Sequence, residues 1–134
     1  MKTKLFLLML LAASTLSAQN KLTIVVEGIE NVKGRLMAGL YDRENFRKQP
    51  IQGHMVKVEA ETVTIVFENI PSGEYAVSLY HDENGNGKLD TGLFGIPTEK
   101  YGFSNNAKGQ YGPPSYEDCK FKVDGDLKIN IQVY

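Results

Sequence analysis

Apolar residues recur along this chain mainly with a period of two, which is typical of β-strands that bury one face. The clearest alternation lies near the C-terminal end, at Leu127, Ile129, Ile131 and Val133. The pattern predicts further strands at 22–29, 35–41, 55–58, 62–67, 74–81 and 121–123. Beyond residue 18, no segment shows a clear period of 3.6. Seven short strands separated by turn signals predict an all-β fold, an antiparallel β-sandwich of immunoglobulin-like or transthyretin-like type.

Turn-forming residues separate these strands. Residues 69–73 combine Asn, Pro, Ser and Gly, each of which favours a turn for its own steric or hydrogen-bonding reason. Residues 124–126, Asp-Gly-Asp, lie between the last two strands. This short connection predicts that the last two strands form a hairpin.

Residues 1–18 have the pattern of a secretory signal peptide. Lys2 and Lys4 precede a short apolar run at 5–13 and a small, polar segment at 14–18. A run of this length is too short to be a lasting membrane anchor. We therefore predict cleavage before Gln19, one domain over residues 19–134 with no membrane span, and a secreted or periplasmic location.

Charge and cysteine content limit the classes of partner. Without Lys2 and Lys4 the chain has 13 basic residues (15 minus 2) against 16 acidic ones, a net charge of −3. A mildly acidic chain without a basic block is not expected to bind nucleic acid or anionic membranes. Cys119 is the single cysteine, so an internal disulfide is excluded. We expect a monomer whose partner, if it has one, is a protein or a glycan.

The segment 82–90 predicts a site for a hard cation such as Ca²⁺. Against the EF-hand pattern, oxygen-bearing residues fall at the ligand positions and Gly87 at the sharp turn. The predicted ligands are Asp82, Asn84, Asn86, the backbone carbonyl of Lys88, and Asp90. The pattern departs at its twelfth position, where Leu93 replaces the bidentate glutamate, and no helix flanks the loop. Candidates to complete the shell are Glu83, Glu99, Glu117 and Asp118.

Two interpretations of this loop remain open. With only two formally charged ligands, Asp82 and Asp90, a calcium site would be weak, with a Kd on the order of 10⁻⁴–10⁻³ M. Alternatively, the two Asn-Gly pairs, at 84–85 and 86–87, form turns in their own right, and the loop binds no ion.

Residues 83–118 form an unusually long connection, with seven glycines and the pair Pro113–Pro114. Long loops in compact domains are usually functional or disordered. Five aromatic residues argue for order, because disordered segments are poor in them. We expect Phe94, Ile96, Tyr101 and Phe103 to pack onto the core; the alternative is that loop aromatics stack on sugar rings. A recognition surface for a protein or glycan is predicted at Tyr101, Phe103, Ser104, Asn105 and Asn106.

Catalytic motifs are absent, so enzyme hypotheses rest on isolated residues. Cys119 is a candidate nucleophile, with a half-buried structural role as the alternative. Glu99 and Glu117 are candidate paired carboxylates for a hydrolase, although acids in one loop are usually solvated. His54 and His81 are too few for a zinc site. We therefore expect a non-enzymatic module.

Two stretches of the sequence resemble known families. Residues 70–77, Ile-Pro-Ser-Gly-Glu-Tyr-Ala-Val, are similar to the turn and strand of transthyretin-like and carboxypeptidase-regulatory-like sandwiches. Residues 81–90, followed by Phe-Gly-Ile-Pro at 94–97 and Tyr-Gly-Phe-Ser-Asn-Asn at 101–106, resemble a family of small secreted bacterial proteins catalogued as domain of unknown function 2141. The resemblance implies a secreted sandwich from a Gram-negative bacterium, and it implies no activity or catalytic residue.

Overall fold

A computed structural model describes residues 19–134. The predicted signal peptide lies outside the described residues. Within them, the only α-helix is a single turn, and no helix has the length or apolar character to cross a membrane. The elements are β1 Gln19–Glu27, β2 Arg35–Tyr41, β3 Gln52–Lys57, β4 Val63–Pro71, β5 Gly73–Asp82, β6 Tyr101–Phe103, α1 Tyr116–Cys119, β7 Phe121–Val123 and β8 Leu127–Gln132. Short 3₁₀ turns lie at Leu93–Gly95 and Ser104–Asn106.

The strands form two sheets, which confirms the predicted all-β sandwich. The smaller sheet has the order β4-β1-β8. The larger sheet has the order β3-β2-β5-β6, with β7 also paired to β5. Every pairing is antiparallel except that of β1 with β8, where Leu22 lies beside Leu127 in a parallel ladder.

One continuous core lies between the sheets, because alternate residues of each strand point inward. Fully burying a large apolar side chain stabilises the fold by about 1.5–3 kcal/mol. The inward residues of four strands are almost wholly inaccessible to water: Leu22, Ile24 and Val26 from β1, Leu36 and Leu40 from β2, Ile65 and Phe67 from β4, and Val77 and Leu79 from β5.

The predicted hairpin between the last two strands is wrong. β7 pairs with β5 in the larger sheet, and β8 pairs with β1 in the smaller one. The turn between them is tied to β1: Gly125 donates to Asn20 Oδ1 at 3.0 Å, and the backbone N–H of Lys21 donates to Asp126 Oδ1 at 2.9 Å. These bonds hold the turn against β1 at the point where the chain passes from the larger sheet to the smaller one. Alternation identified both strands but holds no information on their partners.

The connection 83–118 is not a plain loop. It contains β6, which extends the larger sheet beside β5, and the single turn α1. Ser115 begins that helix, and its side chain accepts a hydrogen bond from the Asp118 N–H. A second, smaller apolar cluster forms beneath this segment, from Ala76, Phe103, Tyr116 and Cys119.

Asn20 is a buried polar residue that joins three segments. Its Nδ2 donates to the Ile70 carbonyl at 3.0 Å and to Ser72 Oγ at 3.1 Å, while its Oδ1 accepts from Gly125.

We expect Asn20→Ala to lower the free energy of unfolding by about 2–4 kcal/mol, because a buried carbonyl and an N–H lose their partner. Urea denaturation measures this. Asn130→Ala, an exposed position on β8, is the matched control; equal effects of the two variants would contradict the role of Asn20.

Candidate functional site

The 82–90 loop begins from a buried carboxylate at the end of β5. Asp82 is fully buried and lies beside Arg35 in the β2–β5 ladder. Its Oδ2 accepts from Arg35 Nε at 3.0 Å and from the Gly87 N–H at 2.9 Å, and its Oδ1 accepts from the Asn86 N–H at 3.2 Å. The backbone φ of +79° at Gly87 lets the chain turn back toward this carboxylate.

These contacts decide the charge state of Asp82. Burial alone would raise the pKa of its carboxyl. The N–H of Gly87 and the guanidinium of Arg35 favour the ionised form more strongly, so the pKa is lowered below its ordinary value. Asp82 is therefore an anion at neutral pH.

Three further predicted ligands meet above this turn. Asn84 Nδ2 donates to Asp90 Oδ2 at 2.5 Å, and Asn86 Nδ2 donates to Asp90 Oδ1 at 2.6 Å. The side-chain oxygen of Asn86 accepts from the Lys88 N–H at 2.9 Å. The four predicted side-chain ligands therefore lie within one short turn. Lys88 contacts this turn through its backbone N–H, and its side chain is exposed.

This arrangement has two chemical states. An asparagine amide presents N–H donors or, after rotation about its terminal bond, a carbonyl oxygen in the same place. Asn84 and Asn86 therefore either donate to Asp90 or join it in ligating a hard cation. Within residues 19–134, no group of three or more His, Cys, Asp or Glu side chains is arranged to hold a metal. A cation here would depend on amide and backbone oxygens beside two carboxylates.

Glu99 closes the loop from the other side. Its carboxylate accepts from the Glu83 N–H at 2.8 Å and from the Asp90 N–H at 2.9 Å, so it clamps both ends of the loop. Two more of the acids considered for the cation shell lie at α1: Glu117 contacts Arg43 and Lys120, and Asp118 contacts Ser115. Neither joins the loop.

Residues 101–106 use their polar groups within the protein. The buried Ser104 hydroxyl accepts from the Val77 N–H at 3.0 Å and donates to the Cys119 carbonyl at 2.5 Å. Asn105 Nδ2 donates to the Lys120 carbonyl at 2.8 Å, and Asn106 Oδ1 accepts from the Gln132 N–H at 2.9 Å. These bonds join β5, α1 and β8.

The predicted recognition surface is therefore wrong for two of its five residues. Phe103 is only 7% exposed and Ser104 is inaccessible to water, so neither presents its side chain to a partner. Tyr101 is half-buried, with its ring centroid 4.8 Å from that of Tyr134. For Tyr101, Asn105 and Asn106 a binding role stays a prediction.

The residues considered for catalysis have structural contacts. Cys119 is buried, and burial raises the pKa of its thiol to about 11, so the thiolate is scarce at neutral pH. Glu99 clamps the 82–90 loop, whereas Glu117 contacts Arg43 and Lys120 beside α1. His54 packs edge-on against Phe67, with ring centroids 4.6 Å apart.

A groove that sequence reasoning missed crosses the outer face of the larger sheet. Because alternate residues of β2 and β5 fill the core, their remaining residues face outward in register. Successive outward rows are Lys57–Arg35–Asp82, Met55–Met37–Tyr80 and Gly53–Gly39–Ser78. The small third row leaves a groove of about 310 Å³, walled by Met37, Met55, Tyr80, Tyr41 and Pro50. The sequence feature that indicates this groove is the composition of β2, which carries apolar residues on both of its faces.

One wall of this outer groove is attached to the 82–90 loop. Tyr80 donates its hydroxyl to the Gly87 carbonyl at 2.9 Å. Arg35 contacts Met55 Sδ at 2.8 Å through Nη1, and donates to the Gly85 carbonyl at 2.9 Å through Nη2. The conformation of the loop and the position of this wall are therefore linked.

Three apolar residues project from the chain directly after the loop. Leu93, Phe94 and Ile96 are 84%, 98% and 65% exposed, and we call them the apolar tip. The expectation that Phe94 and Ile96 pack on the core is wrong. Gly92 donates to the Ile96 carbonyl at 2.8 Å and Thr98 to the Asp90 carbonyl at 2.8 Å, which closes a small hairpin that holds them away from the sandwich.

A comparison with protein-family models assigns the chain to a bacterial family. The model of a family described as "Uncharacterized protein conserved in bacteria (DUF2141)" matches residues 24–131. The chain therefore belongs to this family, as the resemblance implied, and the match spans the loop, the outer groove and the apolar tip. The searches of curated proteins and of solved structures each return no match.

The lowered pKa of Asp82 predicts a pH dependence. A carboxylate with a depressed folded-state pKa stabilises the fold fully above its unfolded pKa of about 4, and this stabilisation is lost as the pH falls through the folded value. We expect Asp82→Asn to be less stable than the wild type near neutral pH, with the difference shrinking below about pH 4. Urea denaturation across this range tests it. Asp124→Asn, at an exposed turn, is the control, and a pH-independent difference for Asp82→Asn would contradict the account.

Proposed function

We propose that this domain is a secreted or periplasmic, non-enzymatic binding module whose 82–90 loop holds a weakly bound structural calcium ion. One observation carries the proposal: the amides of Asn84 and Asn86 both lie within 2.6 Å of the Asp90 carboxylate. This cluster sits above a turn anchored by the buried Asp82. Side chains that already converge on one point need little rearrangement to surround a cation.

The proposed ligand set combines charged and neutral oxygens. It comprises Asp82, Asn84, Asn86, the Lys88 carbonyl and Asp90, with both amides turned so that their oxygens face the ion. Calcium accepts such mixed oxygen shells at flexible geometry. Two features keep the affinity low. Only two ligands are charged, and Arg35 lies 3.0 Å from Asp82 and offsets part of its charge.

The proposed role of the ion is to fix the binding surface. Replacing the Asn–Asp90 hydrogen bonds by coordination would hold the loop in one conformation. Gly85 and Gly87 of that loop accept hydrogen bonds from Arg35 and Tyr80, which hold one wall of the outer groove. Asp90 also accepts from Thr98 at the base of the apolar tip. A loop held in one conformation would therefore fix the positions of both the groove wall and the apolar tip.

Contacts of the candidate catalytic residues favour a non-enzymatic role. A nucleophile must be accessible and activated, whereas Cys119 is buried with a raised thiol pKa. Paired carboxylates must flank one substrate bond, whereas Glu99 accepts backbone N–H groups and Glu117 contacts Arg43. These residues support the fold of the long connection.

Calcium titration tests the proposal. We expect one ion to bind with a Kd on the order of 10⁻⁴–10⁻³ M by isothermal titration calorimetry. Calcium at about ten times its Kd should raise the free energy of unfolding by about 1.4 kcal/mol, since the ion binds the folded state alone. Magnesium at equal concentration should have a smaller effect, because it demands tighter geometry.

Variants separate specific binding from general screening of negative charge. Asp90→Asn keeps the shape of the side chain and removes one charged ligand, so calcium binding should weaken at least about tenfold. Asp124→Asn removes an exposed charge from another turn and should leave binding unchanged. No heat of binding and no calcium-dependent melting in the wild type would overturn the proposal, as would equal effects of the two variants.

A further inference from the structure

The 82–90 loop carries the dipeptide in which asparagine is chemically least stable. Its two Asn-Gly pairs, at 84–85 and 86–87, are both exposed to solvent. Glycine has no side chain to shield its backbone nitrogen, so that nitrogen can reach the side-chain amide carbon of the preceding asparagine. The loop therefore contains two candidate sites for a covalent change that needs no enzyme.

This change, deamidation, proceeds in two steps. The glycine nitrogen loses its proton to solvent base and attacks Cγ of the asparagine. A C–N bond forms, the bond from Cγ to Nδ2 breaks, and the leaving nitrogen takes up a proton and departs as ammonia. Water then opens the succinimide ring to aspartate or to isoaspartate, in which the backbone runs through the side chain. Neither step is a redox step, and water is the only co-reactant.

The surroundings of Asn84 favour the first step. Its Oδ1 accepts from the Asn86 N–H at 3.2 Å, and this donor stabilises the negative charge that develops on the oxygen during attack. Gly85 has a φ of +70° and lies in open space, since a Cβ placed on it would meet no atom within 4 Å. Among the hydrogen bonds of residues 19–134, none is donated by the Gly85 N–H. No contact therefore restrains the attacking nitrogen.

Asn86 has similar surroundings, except for the glycine that follows it. Its Oδ1 accepts from the Lys88 N–H at 2.9 Å, which is the same kind of contact that Asn84 makes. The Gly87 N–H, however, donates to Asp82 Oδ2 at 2.9 Å. Because the pKa of Asp82 is lowered, its carboxylate is too weak a base to remove this proton. The Gly87 nitrogen cannot attack until this part of the loop opens.

We propose that Asn84 is a site of spontaneous deamidation in the folded protein, and that Asn86, two residues away, is protected. The two asparagines share their sequence context, their exposure and a backbone N–H bonded to the side-chain oxygen. They differ in the nitrogen that follows, which is bound to Asp82 only at Gly87. The buried charge that anchors the loop thereby selects which of two equivalent sequence sites reacts.

The modification would change the charge and the contacts of the loop. An aspartate at position 84 adds one negative charge and removes the Nδ2 donor that lies 2.5 Å from Asp90 Oδ2. Two carboxylates would then face each other, which favours binding of a cation between them. The reaction does not depend on calcium, whereas its effect on calcium affinity rests on the proposed function.

Peptide mapping by mass spectrometry tests the proposal on the whole protein. The folded protein is incubated at mildly alkaline pH, which speeds loss of the backbone proton, and fragment ions assign each conversion to residue 84 or 86. We expect Asn84 to convert at least about tenfold faster than Asn86, because a hydrogen bond to a buried charge must break before Asn86 reacts. Equal rates, faster conversion of Asn86, or an Asn84 that stays intact while the unfolded chain converts would overturn the proposal.

Unfolding and one variant separate the effect of the fold from that of the sequence. In urea, both asparagines of the whole chain should convert at similar rates, because the contact with Asp82 is lost. Asp82→Asn replaces a charged acceptor by a neutral one and should raise the rate at Asn86 at least about threefold in protein that circular dichroism shows to be folded. Glu59→Gln removes an exposed charge outside the loop and should leave both rates unchanged.

Two results would overturn the protection assigned to Asp82. One is a difference between Asn84 and Asn86 that persists in urea. The other is an unchanged rate at Asn86 in folded Asp82→Asn. The comparison in urea needs no variant, so it decides the matter even where Asp82→Asn does not fold.

Calorimetry distinguishes this inference from the calcium proposal. Asn84→Asp carries the charge of the product without the reaction, and it should bind calcium about tenfold more tightly than the wild type. Equal calcium affinities of the two would overturn the effect assigned to the added charge. Selective conversion of Asn84 in a protein that binds no calcium would overturn the calcium proposal alone. Calcium binding without selective conversion would overturn the deamidation proposal alone.

Discussion

The buried Asp82 carboxylate is the contact on which this part of the molecule depends. An ionised group without partners would be costly at full burial, and three neighbours offset that cost: the Arg35 guanidinium and the N–H groups of Gly87 and Asn86. Those N–H groups belong to the loop itself. Satisfying the buried charge therefore folds the 82–90 loop back onto the end of β5. Removing the carboxylate would break these bonds to the loop and leave Arg35 without its carboxylate partner.

From this anchor, contacts extend to two surfaces. Arg35 reaches Met55 and Gly85, and Tyr80 reaches Gly87, so one wall of the outer groove is held by the loop. Glu99 binds the N–H of Asp90, which carries the small hairpin of the apolar tip. The loop lies between a concave and a convex apolar feature. In the proposed function, an ion that fixes the loop would act on both features.

Local patterns predicted seven of the eight strands and the sandwich, because period-two burial depends on neighbouring residues alone; β6 was missed. Partner choice depends on distant contacts, such as that of Asn20 with Gly125, so the predicted hairpin failed. The side chains of Asn84, Asn86 and Asp90 do come together, because Asx and glycine turns form within a few residues. Phe94 was expected in the core because aromatic side chains usually are buried, and its left-handed backbone reverses that expectation. The outer groove needs three strands in register, which no single segment reveals.

The most direct test of the central claim follows backbone amides in ¹⁵N-labelled protein by NMR during a calcium titration. The account predicts that the Asn86 and Gly87 signals shift in one saturable step, because both N–H groups bond to a proposed ligand. Signals of Tyr80 and Met55 in the groove wall should move at the same calcium concentrations. Loop signals that do not shift, or that drift in proportion to calcium like those of exposed acids elsewhere, would contradict it.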